Sequence, residues 1–303
     1  MRRLAGAAAV ALALVPAVAP PKAADADGIL GHRPTYSQRK PGTVPDVPLP
    51  NADAITRRIW APGIDEGYVP QGVAAAGGSI YLGSYRSAEA SVGRGPCRLF
   101  RIDPETGDVT GTLDLPSSCG HAGGLARGAP GRIWVVDTQV MHEVALQSEG
   151  RGIGAVLREV RLAPPLKGSF AAADATAIWL GSYEGDQPGA IWRVPFASIT
   201  GPVISASDVT ASLVLPSRVQ GAAFDQTGRL WLTRSGSTLG EVLRLDPRTG
   251  TVEARYRLPD GVEDLSFDPA GRIWIVSEAG SRRWSGWATF FPIVFQLDPL
   301  RLR

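Results

Sequence analysis

The stretch Asp225-Gln226-Thr227-Gly228-Arg229-Leu230-Trp231-Leu232 returns further along as Asp268-Pro269-Ala270-Gly271-Arg272-Ile273-Trp274-Ile275. Each copy is an Asp-x-x-Gly turn that launches an aromatic-centred strand, with Gly supplying the left-handed residue that ends the turn. Small-residue strands precede both turns, Gln220-Gly221-Ala222-Ala223 and Glu263-Asp264-Leu265-Ser266. The same unit reads from Gln71-Gly72-Val73-Ala74 to Ile80-Tyr81-Leu82, and from Gly123-Gly124-Leu125-Ala126 to Ile133-Trp134-Val135. A fifth copy runs from Gly168-Ser169-Phe170-Ala171 to Ile178-Trp179-Leu180. The repeat is about 50 residues long, the length of a propeller blade.

A second hairpin completes each unit. Leu99–Ile102 and Val109–Leu115 flank Asp103-Pro104-Glu105-Thr106-Gly107, and Leu243–Leu245 and Val252–Leu258 flank Asp246-Pro247-Arg248-Thr249-Gly250. Four short strands per copy predict an all-β, five-bladed propeller. The fifth copy ends early, at Val294–Leu297, while an orphan strand, Ile55–Trp60, precedes the first. Pairing the two closes the ring and removes its open edges. The alternative, six blades, needs a blade for which no gap is long enough. One propeller domain is therefore expected over residues 55–303.

Two segments precede it. Met1-Arg2-Arg3, the apolar run Leu4–Ala19 and the small residues to Ala24 have the order of a secretory signal peptide. The apolar run is too short for the roughly 20 residues of a membrane span. Residues 25–54, with Pro34, Pro41, Pro45, Pro48 and Pro50, read as a Pro-rich linker. The expected location is extracellular and the expected state a monomer. In that oxidising setting Cys97 and Cys119 should pair as a disulfide, worth about 3 kcal/mol for a loop of this size. A metal site of Cys97, Cys119 and His121 is the sharper alternative, without the usual zinc thiolate spacing.

Formal net charge is +2 over 303 residues, with 20% charged side chains. That leaves no electrostatic footprint for nucleic acid. There is no Gly-x-Ser-x-Gly elbow, His-Glu-x-x-His helix or Walker loop. Long, varied connections lead out of the aromatic strands: Gly83–Pro96, Gly181–Ala190, Thr233–Glu241 and Ser277–Phe291. They should converge on one mouth of the ring, where propeller loops place binding sites. The polar residues expected there are Gln71, His121, Gln220, Glu263 and Asp264 from the strand starts. From the strand exits come Ser84, Tyr85, Asp137, Ser182, Tyr183, Arg234 and Glu278. They either contact a ligand or hydrogen-bond neighbouring blades. His121 beside Asp137 or Glu263 would make a base held by a carboxylate. His142, inside a strand, reads as structural. Trp284, Trp287, Phe290 and Phe291 either flank a ligand or pack over the last blade.

The Gly-Arg-Leu-Trp and Gly-Arg-Ile-Trp strands resemble secreted bacterial propellers with NHL-like or gluconolactonase-like repeats. Gluconolactonase-like propellers bind a divalent ion through axial Glu, Asp and Asn. Here the single Asn is Asn51, in the linker, so no cofactor is expected, with calcium on Asp137, Glu263 and Glu278 as the alternative. Pro70-Gln71-Gly72-Val73 with Tyr81-Leu82 is similar to the Gln-Gly strand of plant-type glutaminyl cyclases. That family places an acid just after the aromatic strand, where this chain has Gly83-Ser84. The expected function is binding of a small molecule or an extracellular protein partner at the mouth. The alternative is a propeller enzyme, either a metal-assisted lactonase or lyase or one resembling glutaminyl cyclase.

Overall fold

The computed structural model describes residues 24–25, 28–35, 49–87, 89–147, 150, 152–287 and 289–303. The expected signal peptide, half of the Pro-rich segment and the Ser148–Arg151 turn centre lie outside these residues, apart from Ala24 and Gly150.

Five antiparallel sheets stand around one axis. Blade I holds β2 (Tyr68–Ala76), β3 (Ser79–Arg86), β4 (Cys97–Ile102) and β5 (Val109–Asp114). Blade II holds β6 (Gly124–Arg127), β7 (Arg132–Asp137), β8 (Val140–Leu146) and β9 (Gly154–Leu162). Blade III is β10 (Phe170–Ala173), β11 (Ala177–Gly181), β12 (Gly189–Pro195) and β14 (Ala211–Leu215). Between its third and fourth strands the chain detours to lay β13 (Val203–Ile204) parallel on the edge of β9. Blade IV is β15 (Val219–Phe224), β16 (Leu230–Gly236), β17 (Leu239–Leu245) and β18 (Val252–Arg257). Blade V is β19 (Val262–Phe267), β20 (Ile273–Ser277) and β21 (Ile293–Leu297), with β1 (Ile55–Trp60) as its outer strand.

β1 closes the ring as expected, pairing Arg58 with Phe295 and Trp60 with Ile293. The two ends of the domain are also clasped by side chains. Asn51 donates to the carbonyls of Arg257 and Arg303 and accepts from the Arg303 N–H. Residues 28–31 continue the closure: Ile29 is fully buried and Leu30 bridges Ile59. Blade cores form where the large residues of one sheet meet the next, as Trp134 does against Ile178 and Leu180. Close approach at the axis explains the small first strands. A Cβ on Gly124 would sit 2.7 Å from the Ala171 amide nitrogen, and one on Gly72 would sit 2.9 Å from the Ala122 carbonyl. No helix among the described residues is long and apolar enough to cross a membrane.

Strand pairing corrects the third repeat. Ala74, Ala126, Ala172, Ala223 and Ser266 face the five aromatics. Three residues earlier, the equivalent positions are Gln71, Gly123, Ser169, Gln220 and Glu263. Ser169, not Gly168, therefore begins the third copy, because its turn through Asp174 is one residue shorter.

Candidate functional site

Those five equivalent positions, one per blade, all line a cavity of about 340 Å³ on the axis, at the loop-rich mouth. Three of them owe their aim to β-bulges. The ladder slips between Pro70 and Gly72, between Val219 and Gly221, and between Val262 and Leu265. Each slip leaves Gln71, Gln220 or the Glu263-Asp264 pair without a partner across the strand, and bulges re-aim such side chains. Strand exits complete the wall with Thr138, Tyr183 and Glu278, and His121, Arg283 and Trp284 come from the loops.

Glu263 and Glu278 form the floor. Both are almost inaccessible to solvent and within hydrogen-bonding reach of each other. Burial raises the Glu263 pKa well above the ordinary carboxyl value, and the neighbouring Glu278 charge raises it further. Burial also pushes Glu278 up, to about 7, against the lowering effect of Trp284, Glu263, Gln71 and Arg283. The two titrate together, and burial with their mutual repulsion keeps a proton on the pair near neutrality. Amides fix the outer oxygens: Gln71 Nε2 donates to Glu278 at 2.7 Å and Gln220 Nε2 to Glu263 at 3.0 Å. The Trp284 indole N–H is buried beside Glu278 but lacks a well-aligned acceptor.

Beneath the pair, Asp264 is a structural hub. Its Oδ2 accepts the Val73 and Leu125 amides, stitching blades I and II to blade V. Burial raises its pKa despite these donors.

Other expected residues support the mouth from behind. Asp137 does not reach the cavity; its Oδ2 takes the amides of Gly120 and His121 at 2.6 and 2.7 Å, and its Oδ1 takes Arg94 at 3.0 Å. Burial works against the charge of Asp137, but those donors hold its pKa below the usual range. His121 does line the cavity, stacked on Tyr85 at 4.6 Å with Nδ1 on the Gly93 carbonyl. Burial lowers its pKa, keeping the ring neutral. Tyr85 is fully buried behind it and is hydrogen-bonded by Arg283. Arg234 is turned away and pairs with Glu241, its direct partner across β16 and β17.

Cys97 and Cys119 form the expected disulfide, at the base of the loop carrying Arg94. Their sulfurs lie near Asp137, but neither is available as a thiolate, and His121 faces elsewhere. The calcium trio is not assembled either, since Asp137 is committed to backbone amides away from Glu263 and Glu278. Arg283 and Thr138 were not foreseen as site residues, because neither sits in the repeating pattern. Trp284 lines the cavity, whereas Phe290 and Phe291 pack into the core around Trp60.

No family model matches the chain, and no curated protein matches it. Solved structures do. A glutaminyl cyclase from Myxococcus xanthus superposes with a TM-score of 0.57 at 14% identity, covering 80% of this chain and 94% of that one. A calcium-binding regucalcin from Agrobacterium tumefaciens gives 0.45 at 15%, covering 80% and 93%. A PQQ-bound aldose sugar dehydrogenase from Streptomyces coelicolor gives 0.46 at 12%, covering 80% and 97%. The likeness to the cyclase is one of fold, and with the sheet topology it places this chain among the five-bladed β-propellers.

Proposed function

We propose that this chain is an exported, monomeric propeller that binds a small molecule bearing a protonated amine in the axial cavity. The observation that carries this reading is the buried Glu263–Glu278 pair with the proton it keeps near neutrality. An ammonium group entering the cavity replaces that proton, makes both carboxylates acceptors, and relieves the repulsion that keeps one of them neutral. A cavity of about 340 Å³ is at the small end of ligand sites.

The test is calorimetry with simple primary amines from pH 5 to 8. Affinity should rise roughly a hundredfold per pH unit below about pH 7, where both carboxyls give up a proton on binding, and about tenfold per unit just above it, where only Glu263 does. Affinity independent of pH, or no binding of amines, overturns the reading. So does a stoichiometric, tightly held divalent ion in the purified protein.

One observation favours a second reading, acid–base catalysis. The sequence departs from the glutaminyl cyclase pattern at Gly83-Ser84, yet Glu278 of the neighbouring blade V brings a carboxyl to Gln71. A carboxyl poised near pH 7 is suited to proton transfer, and an N-terminal glutamine carries both an amine and an amide for it to work on. Formation of pyroglutamate from a glutaminyl peptide, lost in Glu278→Gln, would establish this reading.

A further inference from the structure

The amine-binding proposal accounts for the floor of the cavity and leaves its remaining charge unused. Arg283 is the one cationic side chain among the described residues lining it, since His121 is held neutral. It makes no ion pair among the described residues. Its Nη1 donates to the Tyr85 hydroxyl and its Nε to the Ala90 carbonyl. Its plane stacks on Trp284, 4.4 Å from the ring centroid, and lies over Tyr85 at 5.6 Å. These contacts hold the guanidinium in place before any ligand arrives, leaving Nη2 without an acceptor among the described residues. An arginine fixed in this way, at the edge of a cavity and without a carboxylate, is set up to receive one from outside, because its planar fork matches carboxylate geometry. Arg283, Glu263 and Glu278 line the same cavity of about 340 Å³, small enough for one compact molecule to meet all three.

We infer that the ligand is a zwitterion of the α-amino acid type, its ammonium on the Glu263–Glu278 pair and its carboxylate on Arg283. This rests on the amine-binding reading and adds the second charge. Opposite charges at the two ends also orient the ligand and disfavour plain amines and plain acids, each of which leaves one end of the cavity unmatched. Ser169 and Thr138 also line the cavity.

The experiment uses three probes: alanine, alaninamide, which is nearly its equal in size, and ethylamine, which is alanine without its carboxylate. Binding is read by calorimetry and by tryptophan fluorescence, since Trp284 lines the site. Alanine should bind at least tenfold more tightly than alaninamide, and ethylamine should resemble alaninamide. Arg283→Gln should bring the ratio of alanine to alaninamide close to one, with Arg283→Lys intermediate. Glu278→Gln should weaken all three. If amines bind but alanine and alaninamide bind equally, the zwitterion inference falls and the amine reading stands. If none of the three binds, both fall together. Should Arg283→Gln fail to fold, the ratio in the unaltered protein still decides.

Discussion

Acidic side chains in the hairpin turns and acidic side chains lining the axial cavity of this propeller are treated in opposite ways. At the hairpin end, Asp225 accepts the Thr227 and Arg229 amides on Oδ1 and the Trp231 indole N–H on Oδ2. Asp268 does the same with Ala270, Arg272 and Trp274, and Asp174 with Thr176, Ala177 and Trp179. Burial opposes the charge of Asp174 and Asp225, but this cage of donors holds both pKa values below the ordinary carboxylate range. At the mouth, Glu263 and Glu278 come from the same repeating unit and face each other, with one glutamine amide apiece, the Trp284 indole and the Arg283 charge too little to offset burial. Their pKa values rise. Where an acid has more donors than it needs it builds the blade, and where it has too few it is left with capacity for something that binds.

If that contrast is right, the hairpin acids should dominate stability. Asp268→Ala strands the buried Trp274 indole and two turn amides, and also frees Gln296 Nε2. It should cost about 3–4 kcal/mol in chemical denaturation, since buried donors lose an ionised acceptor. A loss under about 1 kcal/mol would break the contrast. The second measurement compares the ends directly. Cys97→Ser with Cys119→Ser should cost about 2–3 kcal/mol, and hydrogen exchange should accelerate at Arg94–His121 while blades III to V stay protected. Uniform acceleration around the ring would show that the bond serves the whole fold and not the mouth.

The hairpin end was legible in sequence because its chemistry is local: the Asp, the turn glycine and the indole lie within seven residues of each other. Closure by Ile55–Trp60 was legible too, from a missing strand and a spare one. The mouth was legible only as positions. Gln71, Gln220 and Glu263 share one place in the repeat, and the bulges that aim them leave no mark beyond a polar residue before small ones. Arg234 sits at a strand exit like Tyr85 and Glu278, but its cross-strand neighbour Glu241 captures it, a pairing visible only once register is known. Arg283 lies in the aperiodic connection between β20 and β21, where no pattern says which way a side chain faces.

The smallest expected effect discriminates best, because it carries a sign. A carboxyl with a lowered folded pKa, such as Asp225, contributes stability above its unfolded pKa and loses it as pH falls. The Glu pair must behave in the reverse sense. Below the ordinary glutamate value of 4.5, folded and unfolded chains both hold these protons and the pair costs nothing by linkage. As pH rises toward 7 the unfolded chain releases them while the folded chain keeps them. Above about 7 the folded chain must ionise buried groups. The penalty therefore grows between pH 4.5 and 7 and persists beyond. Glu278→Gln removes it while preserving shape. Its stability relative to the unaltered protein should improve by roughly 2 kcal/mol between pH 4.5 and pH 8, whatever constant loss the substitution brings at both. Melting curves at the two pH values suffice. A difference that stays flat, or runs the other way, would mean that the mouth acids are as well satisfied as those in the turns, and the binding capacity assigned to them would have no physical source.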